Sequence, residues 1–240
     1  LRVENLSKAG MFNDVSFEVK SGEVLGVAGL MGSGRTEVMK TIFGAYRKDH
    51  GKVFVKGTEV KITSPADAIG CGIAYATEDR KSEGVVLGMN IAHNITLSCL
   101  DRVSNRGFLN PSDERMVSEK YVEELEIRPA KVKRIVRYLS GGNQQKVALA
   151  KWLATDCDVV ILDEPTRGID VGAKREIYSL INELAKKGKG IIMISSELIE
   201  VIGVSDRVLV MQEGRIAATL EGADITEQEI MRHATIGAAS

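Results

Sequence analysis

Hydrophobic positions along the chain change period several times, and the changes predict its elements. Alternating apolar and polar positions mark Arg2–Leu6, Val15–Lys20 and Glu23–Ala28 as strands, with turn residues such as Ser21-Gly22 between them. Helical spacing takes over at Thr36–Tyr46, and Lys52–Val55 with Val60–Ile62 follow as a hairpin turning through Lys56-Gly57-Thr58-Glu59. Ser64-Pro65 sets an N-cap and a first-turn proline before a short helix that stops near Gly70; Ile73–Ala76 returns as a strand. From Thr77 to about Thr155 helices and polar loops replace alternation. Ser112–Leu125 carries Val117, Tyr121 and Leu125 at fourfold spacing behind Asp113 and Glu114, and Asn143–Thr155 is a second helix after Ser140-Gly141-Gly142.

Beyond that stretch the chain reads strand Val159–Leu162, helix Val171–Lys186, strand Gly190–Ser195 and helix Glu197–Ile202. Ile177, Leu180, Ile181 and Leu184 share one face of the longer helix. Strands Arg207–Met211 and Arg215–Leu220 then turn at Glu213-Gly214, and a last helix is capped by Thr226 with Glu229 three residues on. Strands alternating with helices predict an α/β fold, a mainly parallel sheet covered on both faces, with a helical insertion between two of its strands. The expected division is a core of residues 1–76 and 156–240 and a helical subdomain of about 77–155.

Composition adds exclusions. Hydrophobic residues at 44% and charged residues at 27% suit a soluble globular chain of one large domain. A net charge of −1 gives no bulk electrostatic support for nucleic-acid binding, which leaves only local basic patches, and no nucleic-acid partner is expected. Cys71, Cys99 and Cys157 are far apart, with no CxxC pair and no histidine at ligand spacing, as in a reduced intracellular compartment. No apolar run reaches the roughly 18 to 20 residues that span a bilayer, and no signal core opens the chain. The start at Leu1-Arg2-Val3, without Met and already strand-like, predicts a fragment of something longer.

Chemistry enters where Val159-Val160-Ile161-Leu162 runs into Asp163-Glu164. Two carboxylates at the end of a buried strand call for a cation, and Mg²⁺ with a nucleotide phosphate would serve. Asp163 would hold the metal and Glu164 would take a proton from an attacking water. The matching cradle follows strand Glu23–Ala28 as Gly29-Leu30-Met31-Gly32-Ser33-Gly34-Arg35-Thr36. Its glycines let backbone N–H groups close on an anion at a helix start, and Thr36 stands where a hydroxyl binds Mg²⁺. Arg35 replaces the usual lysine, and its planar guanidinium need not occupy the same place. Leu139-Ser140-Gly141-Gly142-Asn143-Gln144-Gln145 offers a hydroxyl and free N–H groups at another helix start.

The order of these motifs resembles the nucleotide-binding domain of ABC transporters over nearly the whole chain. Gly29–Thr36 matches the Walker A loop, Leu139–Gln145 the LSGGQ signature, Val159–Glu164 Walker B with its catalytic glutamate, and Gly168-Ile169-Asp170 the D-loop. The resemblance implies a RecA-like P-loop NTPase core with an amino-terminal antiparallel β-subdomain and an inserted α-helical signature subdomain. It implies ATP and Mg²⁺ as cofactors, and two domains head to tail with each ATP between one Walker A and the other signature. On that basis Gly29 to Thr36, Ser140, Gly141, Gly142, Gln144 and Asp170 would touch nucleotide, and Thr36, Asp163 and Glu78 the metal.

Departures refine the resemblance. The Q-loop glutamine falls on Glu78, the switch histidine on Ser196, and the adenine-stacking aromatic near Gly10, where Phe12 could substitute. Together with Arg35 these resemble the second ATPase half of double-length ribose, galactose and xylose importers. That implies a sister ATPase half, membrane permease subunits, a periplasmic or extracellular sugar-binding protein, and a peripheral place on the cytoplasmic face of the cell membrane. Of the catalytic positions Glu164, Ser196 and Glu78, Glu164 keeps the carboxylate where a base should be, while Ser196 and Glu78 depart from the pattern; slow or absent turnover at the chain's own site is expected, the signature serving the sister. A non-hydrolysing nucleotide-gated scaffold is the alternative. A chromosome-maintenance ATPase would need a long coiled coil that is missing here, and a dinucleotide-binding fold would need a third glycine after Gly32-Ser33-Gly34.

Overall fold

In the computed structural model residues 1–235 are described, and they form two compact units. Residues 236–240, the end of the expected core span, lie outside the described residues. Strands β1 (Arg2–Lys8), β2 (Phe12–Glu18) and β3 (Val24–Gly29) open the chain. They lead to α1 (Arg35–Ile42), β4 (His50–Val55), β5 (Thr58–Val60), α2 (Pro65–Gly70) and β6 (Ile73–Ala76). Next come α3 (Ile91–Thr96), β7 (Ser104–Asn105), β8 (Phe108–Leu109), α4 (Pro111–Glu124) and α5 (Gly141–Leu153). The chain continues through β9 (Val159–Asp163), α6 (Val171–Lys186), β10 (Gly190–Ile194) and α7 (Leu198–Val204) to β11 (Arg207–Gln212), β12 (Arg215–Glu221) and α8 (Glu227–Thr235).

The first unit takes Leu1–Tyr75, Asp158–Glu164 and the chain from Ile181. Its main sheet runs β12-β11-β3-β10-β9-β6, with β3, β9, β10 and β11 parallel and β12 antiparallel at the edge. β9 and β10 are buried at every position, which is why both read as unbroken apolar runs. α7 lies so close to β3 that a Cβ on Gly26 would come within 2.3 Å of Ser205 Oγ and 2.7 Å of Val201. Ala28, Val201, Val208, Val210 and Ile230 pack behind it.

A second, antiparallel sheet runs β2-β1-β4-β5. β2 starts at Phe12, earlier than alternation from Val15 predicts, because Met11 N bonds Lys8 O in a tight turn and Phe12 pairs with Lys8. The β4–β5 turn is two residues rather than four. Lys56 and Gly57 have φ of +50° and +80°, and Thr58 pairs with Val55. Positive φ at both central residues matches the twist of a two-residue hairpin. The α2 cap is as expected, with Ser64 Oγ accepting from Asp67 N in a reciprocal capping box.

The second unit comprises Ala76–Cys157 together with Pro165–Leu180. α5 is its central helix, buried from Gln144 through Leu153. The amino-terminal half of α6 joins it there: a Cβ on Gly142 would stand 2.6 Å from Ala173 Cβ, and Lys146 Nζ pairs with Glu176 at 2.8 Å. On α4 the buried line is Ser118, Val122 and Leu125, while Val117 and Tyr121 are half-buried. Tyr121 keeps its hydroxyl at the boundary by donating to Leu153 O at 2.8 Å, so its ring cannot define the helix's inner face. The β7–β8 hairpin was invisible to periodicity, having two residues in each strand. Among the described residues no helix is long and apolar enough to cross a membrane.

Candidate functional site

β3 delivers the chain to Gly29, where a Cβ would sit 2.4 Å from Met211 O and 2.6 Å from Ser33 Oγ. Only glycine fits that approach. Gly32 and Gly34 at φ of +78° and +96° then turn the loop into α1. Leu30 and Met31 are exposed at its outer rim. Ser33 is buried, and its Oγ has no hydrogen-bond partner. No side chain caps α1, whose N-cap is Gly34, so its first-turn N–H groups remain available to an anion.

The carboxyl end of β9 supplies both acids, and that of β10 the two serines beside them. Asp163 is 1% exposed; its Oδ2 accepts from Tyr75 Oη at 2.6 Å, and its Oδ1 is buried without a partner. Burial raises its pKa, partly offset by hydrogen bonds from Tyr75 and Thr36 and by the charges of Arg35 and Lys40. Glu164 adopts φ of +49°, its N–H donates to Ile194 O at 2.9 Å, and its Oε2 accepts from Ser196 Oγ at 3.1 Å. Burial raises its pKa too, against the Ser196 hydrogen bond and Arg35. Arg35 Nη1 donates to Ser195 O at 3.0 Å, which draws the guanidinium to the end of β10. The structure thus brings Thr36, Asp163, Glu164, Arg35 and Ser196 together. It adds Tyr75, which the sequence analysis missed; the available signal was a single hydroxyl in the otherwise apolar strand Ile73–Ala76.

Phe12 does not present its ring. It is 4% exposed beneath the Glu213-Gly214 turn, and the side chain open to solvent there is Met11. A ring packed at that depth keeps little face for stacking. Gly214 fastens the corner: its N–H donates to Ser33 O at 3.0 Å and its carbonyl accepts from Asn13 N at 2.9 Å. A groove of about 560 Å³ opens beside it, lined by Gly10, Met11, Phe12, Asp49, Glu213 and Arg215 among others.

In the second unit, Ser140 caps α5, its Oγ accepting from Asn143 N at 3.4 Å and Asn143 Nδ2 at 3.0 Å. Gln144 is turned inward, with Nε2 donating to Val136 O at 3.3 Å and Leu139 O at 3.2 Å. The buried amide holds the preceding loop. Asp170 Oδ1 accepts from Ala173 N at 2.9 Å and caps α6. Glu78 forms an ion pair with Arg167, in the chain just after the second acid. Gly141 and Gly142 are backbone-close, the first against Arg80 and Gly168, the second against Ala173.

These donors suit a phosphate with a divalent cation. The idle Ser33 hydroxyl and uncapped α1 suit the anion; the buried Asp163 carboxyl, with its Oδ1 unpartnered, and the Thr36 hydroxyl that bonds the same carboxyl suit the cation. The comparisons agree with that chemistry. The ABC transporter family model matches residues 12–167. The chain is 54% identical over 237 residues to the ribose import ATP-binding protein RbsA of Geobacillus kaustophilus (strain HTA426), covering 99% of this chain and 48% of that protein. It is 53% identical to the protein of the same name from Caldanaerobacter subterraneus subsp. tengcongensis, covering 99% and 48%. The chain therefore spans about half the length of these relatives. A crystal structure of a nucleotide-free ATP-binding cassette from an ABC transporter superposes with a TM-score of 0.82 at 24% identity, over 96% of this chain and 94% of that one. That likeness concerns the P-loop NTPase fold, with its mixed sheet and antiparallel β-subdomain. With motifs, fold and relatives in accord, the chain belongs to the ABC transporter ATP-binding family.

Proposed function

We propose that this chain is one ATP-binding half of a tandem ATPase that couples ATP binding and hydrolysis to the import of a sugar of the ribose, galactose or xylose type. The names and double length of the relatives support the sugar class and the tandem arrangement. In this reading a sister half faces the chain, permease subunits carry it on the cytoplasmic face of the membrane, and a binding protein delivers the sugar. Thr36 and Asp163 would hold Mg²⁺, which when bound neutralises charge on the phosphates. Gly29–Thr36 would bind the nucleotide through backbone N–H groups, Ser33 Oγ and the start of α1.

The observation that carries the mechanism is the 3.1 Å hydrogen bond from Ser196 to Glu164. Glu164 is placed to accept a proton from water, and burial, by raising its pKa, makes it a better base. Ser196 gives that carboxylate a neutral donor where a histidine could carry charge, and Arg35 spends its Nη1 on the Ser195 carbonyl. Slow turnover at this site follows, with Ser140–Gly142 completing the sister's site. A scaffold that closes on ATP without hydrolysing it is the limiting case of the same geometry.

The test is steady-state ATP hydrolysis by the full-length protein with its permease, comparing Glu164→Gln with the matching change in the sister half. Turnover that survives Glu164→Gln but not the sister change supports the slow-site reading. Equal loss from both overturns it.

A further inference from the structure

Three segments of the second unit converge on one side chain that no motif assigns. Arg80 opens a wide turn, Arg80–Gly84, whose start is fixed by Asp79 Oδ1 accepting from Lys81 N at 3.0 Å and Ser82 N at 3.2 Å. Its Nη1 donates to Arg167 O at 2.8 Å and its Nη2 to Gly168 O at 3.1 Å. The same Nη2 would lie 3.0 Å from a Cβ on Gly141, so the absence of a side chain there is what lets the turn before α5 rest on the guanidinium. Beside this contact Glu78 pairs with the Arg167 side chain, giving a second rung between the same two segments. The far end of the turn is also anchored: Lys151 Nζ, on α5, donates to Gly84 O at 2.6 Å.

The chemistry suits arginine alone. Two carbonyls one residue apart need two donors at fixed spacing in one plane, which a guanidinium has and an ammonium lacks. Arg80 Nε is nevertheless buried with no partner. A side chain kept only for stability would not be expected to leave a buried donor idle, since such a group costs about 1–3 kcal/mol.

We infer that Arg80 is a positioning residue for the half-site at Ser140–Gly142. It holds the Arg167–Asp170 loop and the first residue of α5 at one spacing, so that both reach the nucleotide of the facing domain together. The inference rests on the reading that this signature completes a sister's site. Turnover is sensitive to such spacing, because a misplacement of 1 Å by a residue away from the chemistry can cost about 100-fold.

The experiment measures kcat and KM for ATP, with Tm, on the full-length protein reassembled with its permease, for Arg80→Met, Arg80→Lys and Ser140→Arg. Arg80→Met is expected to lower kcat about tenfold or more, with KM within about twofold and Tm within a few degrees; Arg80→Lys recovers part of the loss. A kcat within about twofold of the parent, or a kcat that falls only in step with Tm, overturns the inference. Ser140→Arg separates the two claims. If it leaves turnover intact, the shared-site reading fails and takes the inference with it; if it abolishes turnover while Arg80→Met is silent, the Arg80 inference alone is overturned.

Discussion

Asp163 keeps a carboxyl group in the interior with one oxygen bonded to Tyr75 and the other to nothing in the protein. Stability is surrendered there for binding, and pH shows the cost. Its pKa is raised by burial, so the folded chain holds the proton more tightly than the unfolded one between the ordinary value of 3.8 and the raised one. More protons bound in the folded state means that stability falls as pH rises through that window and stays lowered above it. Asp163→Asn removes the charge while keeping an acceptor for Tyr75. The ligand-free variant is expected to unfold about 2–4 °C higher at neutral pH, a gain of roughly 1 kcal/mol, and to lose Mg²⁺-dependent stabilisation by ATP. Calorimetry with and without Mg²⁺-ATP checks both halves, and a lower Tm without ligand would show that the charge is already compensated.

Single atoms act through the elements that hold them, and two loops show how. The β11–β12 turn supports the phosphate loop through Gly214, whose φ is +74° and whose Cβ would strike Met11 O at 2.6 Å and Phe12 Cα at 2.7 Å. Gly214→Ala must shift either the β1–β2 turn or the Ser33 carbonyl that Gly214 N holds. ATP affinity is expected to drop about tenfold, or 1.4 kcal/mol, although position 214 belongs to no ligand-binding motif in the sequence; a nucleotide titration equal to the parent's would refute this. The loop before α5 depends on Gln144 in the same way. Gln144→Met strands two carbonyls, at an expected cost of about 1–3 kcal/mol, while ATP binding at Gly29–Thr36 stays unchanged. Weakened binding at the sister's site with unchanged Tm would instead support a contact between Gln144 and nucleotide. Both positions mark where sequence patterns ran out. Gly29, Gly32 and Gly34 announce a phosphate loop because successive glycines before a helix have one main use. Gly214 looks like any hairpin glycine, and Gln144 like any polar residue beside Ser-Gly-Gly, because the contacts that define them come from Ser33 and Val136, far off in the chain or across a loop.

At the scale of the whole molecule, β3, β9, β10 and α6 were legible because burial on both sheet faces, or one long apolar stripe, leaves a strong period. β7, β8 and the turn at Arg80–Gly84 were not, being too short to carry one. Tertiary structure also places charges that no period reveals. Lys151 sits inside the second unit, 6% exposed, its pKa pushed down to about 8 by burial, while Tyr121 is pushed up to about 12 by burial and Glu124. For Lys151 the unfolded chain binds more protons than the folded one between pH 8 and 10.5, so its contribution to stability rises with pH across that interval. For Tyr121 the folded chain holds the proton longer between 10 and 12, so stability falls there. Lys151 is therefore expected to make the second unit's resistance to urea rise from about pH 8, opposed above about pH 9 by Cys99, whose thiol burial pushes up. Trp152, the single tryptophan, stacks under the Lys151 ammonium at 4.6 Å and reports that unit's unfolding by fluorescence. The rise from pH 8 should amount to at most about 3 kcal/mol, and Lys151→Met should flatten it while leaving the fall above pH 10 in place. A variant that keeps the parent's rise would show that another group titrates there and that Lys151 remains charged against the Gly84 carbonyl.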